Sequence, residues 1–282
     1  MTLTYFDSIV LGIVEGLTEF LPVSSTGHLT VAEKLLGLKV DDKAVTAYTA
    51  IIQLGAIAAT LIFFARKIVR LARAWVAGLR RHDEREGDYL LAWAVIVGSI
   101  PVGLVGFALK DVIEGPLRSL WVVAAALVLW SGVIVWAERR HDVLARRGRQ
   151  RSDEEVTIGD AIVIGLVQCF SLIPGVSRSG ATISAGLARG IDRVSATELS
   201  FFMAIPALTA AGAFEAAKTD LSGLGTGQLA TGIVIAFVVA YASIAWLLRF
   251  VANNSLRSFV WYRVAAGLLL AVALATGLIS AT

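Results

Sequence analysis

Two carboxylates, a row of hydroxyls and an imidazole fall inside one apolar stretch of seventeen residues: Gly12-Ile-Val-Glu15-Gly-Leu-Thr-Glu19-Phe-Leu-Pro22-Val-Ser24-Ser25-Thr26-Gly27-His28. Ionisable groups in hydrocarbon are costly, so their presence in such a stretch points to function. Glu15 and Glu19 are spaced i,i+4 and project from one face of a helix. Two carboxylates so placed repel unless a cation or a shared proton lies between them. Pro22 and Gly27 break the helix and free backbone N–H groups beside Ser24, Ser25 and Thr26. Such a break is tolerated only where protein or a wet cavity surrounds it. The chemistry on offer is a hydroxyl nucleophile next to groups that hold a metal or move a proton.

A second stretch, Pro174-Gly-Val-Ser177-Arg178-Ser179-Gly180-Ala-Thr182, suits an anion. Guanidinium binds phosphate bidentately, the hydroxyls of Ser177, Ser179 and Thr182 add hydrogen bonds, and glycines let the backbone approach. A helix restarting after Gly180 points its positive end at the same place. The plainer alternative is that Arg178 pairs with a carboxylate and ties two segments together; the two roles are compatible. A shift of 153 residues superimposes the stretches, placing Asp7 on Asp160, Gly12 on Gly165, Ser24 on Ser177 and Gly27 on Gly180. Glu15 then falls on Gln168, Thr26 on Ser179 and Ser25 on Arg178. If the two breaks meet, one side offers a nucleophile and the other a phosphate clamp.

These residues need a membrane scaffold. The 282-residue chain is 57% hydrophobic with mean hydropathy +0.76, which predicts an all-α integral membrane protein. Six segments are long enough to span: 44–65, 89–110, 118–137, 195–217, 228–250 and 262–281. The interrupted stretches 7–32 and 159–189 are expected to be re-entrant helical hairpins. The chain then divides into repeat 1, about 1–140, and repeat 2, about 155–282, each with one hairpin and three spans. Three is odd, so the repeats enter from opposite sides, an inverted-topology plan in which broken helices meet near the midplane.

Segments 66–88, 138–158, 189–194 and 249–263 carry 18 Lys/Arg, and the opposite loops carry 6. The bias puts the first group in the cytoplasm and both termini outside. Arg178 is the remaining cation and falls within the membrane. The net charge of +3 is therefore topological, and a nucleic-acid partner is not expected. The basic runs Arg80-Arg81 and Arg146–Arg151 are read first as topological, with anionic-lipid binding the alternative. His82 and His141 read as solvated loop residues, and Asp7, Asp160 and Glu198 as helix-terminal groups. Met1–Phe6 lacks a basic residue, so no cleaved signal is expected. The single cysteine, Cys169, excludes an internal disulfide and reads as a small buried side chain.

The Glu15–His28 and Pro174–Thr182 motifs together resemble the signatures of the undecaprenyl-diphosphate phosphatase, or bacitracin-resistance, family. The resemblance spans the chain in length and element order. It implies removal of the terminal phosphate of undecaprenyl diphosphate, which recycles the carrier lipid of cell-wall (peptidoglycan) synthesis. It implies dependence on a divalent cation, Mg or Ca, with Glu15 and Glu19 as the acidic motif and candidate metal ligands. Ser25 corresponds to the proposed nucleophile, His28 to the family histidine and Arg178 to its arginine. Ser24, Thr26, Ser177, Ser179, Gly180 and Thr182 complete the expected phosphate surround. The implied location is the bacterial inner membrane, with the site opening to the periplasmic face. Expected partners are the polyprenyl diphosphate and membrane lipids, with room for a homodimer. A secondary transporter or a flippase for a phosphorylated lipid is the alternative, since the same architecture serves carriers.

Overall fold

Long runs of Ala, Val, Ile and Leu with few breakers fold as helices throughout. The computed structural model describes residues 3–39, 42–218 and 225–281, so parts of two predicted outer loops, 40–41 and 219–224, lie outside the described residues. In chain order the helices are α1 (Tyr5–Thr18), α2 (Ser25–Leu35), α3 (Lys43–Phe63), α4 (Ala65–Arg80), α5 (Asp88–Ala108) and α6 (Lys110–Glu114). There follow α7 (Leu120–Arg146), α8 (Ile158–Gln168), α9 (Arg178–Ala188), α10 (Arg193–Lys218), α11 (Thr226–Asn253) and α12 (Arg257–Ala275). Among the described residues, six of these are long and apolar enough to cross a membrane: α3, α5, α7, α10, α11 and α12. The protein is an all-α, multi-pass membrane protein.

Helices α1 and α2 have 14 and 11 residues, and α8 and α9 have 11 each. At ~1.5 Å per residue none exceeds about 21 Å, short of the ~30 Å hydrocarbon layer. Each short pair packs against the long helices. α1 packs on α11 and α8 on α5. Both contacts need glycine: a Cβ at Gly12 would lie 2.9 Å from the Gly232 carbonyl, and one at Gly165 would lie 2.3 Å from that of Gly98. Gly12 and Gly165 are the positions paired by the 153-residue shift.

Four expectations need correction. α7 continues to Arg146 rather than stopping near 137, because Glu138 and Asp142 on its extension are held by Arg193 and Arg257. His141 on the same extension is buried, 1% exposed, not a solvated loop residue. α12 starts at Arg257 and stops at Ala275 instead of running to 281, the chain turning at Gly277 with φ 72°. The segment 66–88 is also no simple loop. It contains α4, whose basic and apolar residues alternate with helical period.

Ion pairs gather at one end of the bundle. Lys67 bonds Asp153 at 2.5 Å and also Glu198. Arg151 and Arg189 grip Asp160 at 2.8 and 2.7 Å, and Arg193 and Arg257 hold Glu138 and Asp142 at 2.6 and 2.7 Å. Burial works against the Lys67 ammonium, but the bonds to its two carboxylates outweigh it and hold its pKa above the ordinary lysine value. These contacts join the four segments that the charge count assigns to one side. At the far end, the Leu120 N–H donates to Ala281 and Lys34 to Ser280, each at 2.9 Å. Asp7 and Asp160 cap α1 and α8 in boxes with Thr4 and Thr157.

Candidate active site

The two breaks have the same backbone. Ser24 precedes α2 and Ser177 precedes α9, and each has φ 78°; among the described residues these are the non-glycine residues with positive φ. L-residues rarely hold that conformation, and where they do the surroundings must enforce it, at a cost of about 1–3 kcal/mol. Part of the enforcement is capping. Ser24 Oγ accepts from Gly27 N–H at 3.4 Å, and Ser177 Oγ accepts from Gly180 N–H at 3.1 Å.

The breaks bind each other. Gly175 N–H donates to Ser24 Oγ at 3.1 Å, and the Ser179 hydroxyl donates to the Leu21 carbonyl at 2.9 Å. Behind them lies Arg263, fully buried, which donates to the Pro22 carbonyl at 2.8 Å and to those of Gly175 and Val176 at 2.9 and 3.1 Å. Its Nε also reaches Ser131 Oγ at 3.3 Å. One guanidinium thus satisfies carbonyls freed by both helix breaks, as buried backbone acceptors require. The charge count had placed Arg263 among the loop cations; it is instead an internal tie between the two motifs.

In front of this tie, Glu19 joins the chemistry of both motifs. The Ser25 hydroxyl donates to Glu19 Oε2 at 2.6 Å, while Arg178 Nη2 donates to Oε1 at 3.1 Å. Arg178 Nη1 is fixed by the Ser200 carbonyl at 2.9 Å, and Ser200 Oγ accepts from Thr182 at 2.7 Å. Arg178 Nε is buried without a partner, a donor held in reserve. The alternative role for Arg178, pairing with a carboxylate across the motifs, is therefore also real.

A cavity of about 350 Å³ opens on these groups, lined by Glu19, Ser24, Ser25, Thr26, Ser177 and Arg178. Its further lining sets an apolar wall of Leu29, Val102, Leu172 and Leu208 beside polar Thr49, Gln53 and Glu33, and it passes Thr46 at the start of α3 and Ile113 of α6. Those residues lie toward the end of the bundle away from the ion pairs.

Other expected residues stand elsewhere. Ser179 and Thr182 are buried behind the cavity wall, and Gly180 serves the Ser177 cap. His28 is on the far face of α2. Its Nδ1 lies 2.7 Å from the Ser24 carbonyl and its Nε2 2.6 Å from Tyr262 Oη, and it lines a separate apolar cavity of about 440 Å³. Glu15 is fully buried beneath Glu19, and neither of its carboxylate oxygens has a hydrogen-bond partner. Gln168, its counterpart under the shift, lines the cavity with both amide atoms unpartnered. The sequence showed Gln168 only as a repeat marker and gave no signal for Ser200 or Tyr262.

An orphaned buried carboxylate next to a second one fits a divalent cation, so Glu15 and Glu19 suit that group. Among the described residues, the cluster of three such ligands lies elsewhere, at Glu138, His141 and Asp142. There the two carboxylates already serve Arg193 and Arg257.

Comparison with known proteins finds a matching family and several relatives. The family model described as "Bacitracin resistance protein BacA" matches residues 8–269. An undecaprenyl-diphosphatase of Acidothermus cellulolyticus is 54% identical over 277 residues, 98% of either chain. Undecaprenyl-diphosphatase 3 of Frankia casuarinae is 55% identical, covering 98% of this chain and 99% of its own. The Cutibacterium acnes undecaprenyl-diphosphatase is 52% identical, covering 95% and 96%.

Proposed function

The chain belongs to the bacitracin resistance protein BacA family, and from that premise we infer that it hydrolyses undecaprenyl diphosphate to undecaprenyl phosphate and inorganic phosphate. It is a membrane-embedded phosphatase. The observation that carries this reading is the Ser25–Glu19–Arg178 chain, a hydroxyl and a guanidinium on the two oxygens of one carboxylate at the floor of one cavity. The reaction recycles the carrier lipid of cell-wall synthesis, and a pool kept in that cycle underlies bacitracin resistance. The relatives' names give no support to a transporter or flippase.

The residues divide the work as follows. The terminal phosphate enters between Ser25 and Arg178, and the apolar wall receives the first prenyl units. Arg178 turns its free Nε and its Nη2 toward phosphate oxygens, with Ser24, Thr26 and Ser177 adding donors. The positive N-termini of α2 and α9 face the same anion. Glu19 takes the Ser25 proton as Oγ bonds the terminal phosphorus. The P–O bond to the bridging oxygen breaks, and undecaprenyl phosphate leaves with the electron pair. Glu19 hands that proton to the departing phosphate. Water, deprotonated in turn by the freed carboxylate, attacks the phosphorus, and Glu19 returns the proton to Ser25 Oγ as inorganic phosphate is released. Glu15 and Glu19 would hold Mg or Ca, which when bound neutralises phosphate charge. His28, turned toward Tyr262, positions the α2 break through the Ser24 carbonyl.

The 153-residue correspondence supports two inverted repeats, each opening with a re-entrant hairpin. The basic ends of the bundle then face the cytoplasm of the bacterial inner membrane, and the cavity opens to the periplasmic side. The test is phosphate release by purified protein in detergent, with a prenyl diphosphate and magnesium. An enzyme releases phosphate without a sealed compartment. No release across lipid, metal and detergent conditions sinks the assignment.

A further inference from the structure

Helix α4 starts where α3 stops, at Phe64, whose φ −100° and ψ 16° leave the helical path. Its sixteen residues present three faces. One is buried: Leu71 enters the core, and Gly78 packs so closely on Tyr89 of α5 that a Cβ would lie 2.4 Å from its ring. Trp75 meets Trp93 edge to face at 5.9 Å on the same side. Lys67 is tied to Asp153 and Glu198, and Arg85 donates to the Gly78 carbonyl at 2.8 Å. The helix is therefore clamped along its length and cannot roll to hide its other two faces.

Those faces differ in chemistry. Val69, Ala72, Val76 and Leu79, spaced i, i+3, i+7 and i+10, form an exposed apolar stripe, with Val69 and Leu79 at 46% and 47% exposure. Arg66, Arg70, Arg73 and Arg80, spaced i, i+4, i+7 and i+14, form an exposed basic stripe beside it. Arg70 shares Asp88 at 2.8 Å; Arg66, Arg73 and Arg80 have no carboxylate partner among the described residues. An apolar stripe that needs hydrocarbon, flanked by guanidinium groups that need anions, matches a membrane surface and not a soluble partner.

We propose that α4 lies in the membrane surface at the ion-paired end of the bundle and binds anionic phospholipid headgroups through Arg66, Arg70 and Arg73. Val69, Val76 and Leu79 are sunk among the acyl chains. The helix thus selects acidic lipid around the enzyme at the end remote from the cavity. Nothing in the phosphatase reading requires it, and its test fails or succeeds separately.

Native mass spectrometry of the purified full chain, incubated with equal phosphatidylglycerol and phosphatidylcholine, reads the selection. Phosphatidylglycerol is retained preferentially by the wild type. The triple variant R66Q/R70Q/R73Q loses that preference at least about fivefold, whereas R146Q/R147Q, on basic residues without such an apolar stripe, keeps it. Phosphate release in detergent stays unchanged in both, which reports intact folding. A second measurement does not depend on the triple variant: single nitroxide labels at positions 73 and 76, in a Cys169→Ser background, in vesicles of phosphatidylglycerol. The label at 76 collides with oxygen and the label at 73 with an aqueous nickel complex. Equal lipid retention by the triple variant, or two labels equally open to water, overturns the proposal.

Discussion

The break between α1 and α2 and the break between α8 and α9 hold a serine at φ 78° ahead of an eleven-residue helix, yet the next residue is Ser25 in one and Arg178 in the other. A shared backbone has been given opposite chemistry at one position. The acidic residues diverge too: Glu15 is answered by Gln168, and Glu19, which serves both motifs, by Leu172. A strictly symmetric pair of arginines would repel, and a symmetric pair of serines would leave the phosphate charge unmatched. Under the proposed mechanism, asymmetry at 25 and 178 turns two similar helix ends into a nucleophile and a clamp. Each half is incomplete without the other.

The comparison is broken most severely at its two divergent positions. Ser25→Ala is expected to lower phosphate release by about 10³-fold or more, as removal of a nucleophile does. Binding of a non-hydrolysable diphosphonate should be retained, since the clamp remains. Release near the wild-type rate would show that water attacks directly and Ser25 only orients. Arg178→Lys is expected to cost roughly 10²-fold, because an ammonium cannot bond Glu19, the Ser200 carbonyl and a phosphate oxygen together. A single-turnover assay checks it; a change confined to KM would assign Arg178 to ground-state binding alone.

Arg263 tests what the halves share, not how they differ. Arg263→Met leaves the carbonyls of Pro22, Gly175 and Val176 buried without their donor. Each such loss is worth about 1–3 kcal/mol, so thermal unfolding in detergent should move down clearly, with release falling alongside. An unchanged midpoint would mean that water replaces the guanidinium. Gln168→Leu is expected to have a smaller effect, about tenfold on release with folding intact, because its amide atoms line the cavity without a protein partner and have only substrate or water to meet. Gln168→Glu sharpens the comparison with Glu15: a second carboxylate facing the phosphate should raise KM more than it lowers kcat.

What could be read from the sequence follows from where polarity stands out. Glu15, Glu19, Ser25 and Arg178 sit in apolar surroundings, where each polar group asks for an explanation, and the six spanning helices around them are long apolar runs that admit one reading. Arg263 sits at the edge of a predicted span, where an arginine looks like a loop charge, and its partners lie 241 and 87–88 residues away. No local pattern announces such a contact. His28 lies away from the cavity for a related reason. It follows Ser25 by three residues, a spacing that shares a helix face, but Ser25 is the first residue of α2 and turns back to Glu19 while His28 reaches Tyr262. The α4 helix was hidden because its arginines counted as loop charge, although their spacing is helical.

The smallest expected effects come from the feature the two breaks have in common. Glycine at position 24 or 177 relieves the positive φ but removes the hydroxyl that caps the helix, and these two changes oppose each other. Alanine keeps the strain and loses the cap, so Ser24→Ala and Ser177→Ala should each be less stable than the glycine variant by about 1 kcal/mol. The two positions then separate. Ser24 Oγ also accepts from Gly175 across the interface, whereas the extra contact of Ser177 Oγ is to Ser179 within its own motif. Ser24→Gly should therefore lose more activity than Ser177→Gly, by a few-fold, since it loosens the docking of the clamp on the nucleophile. Paired rate measurements at matched thermal stability read that difference. Equal rates for the two glycine variants would mean that Arg263 alone sets the distance between the breaks, and the serines would then be only caps.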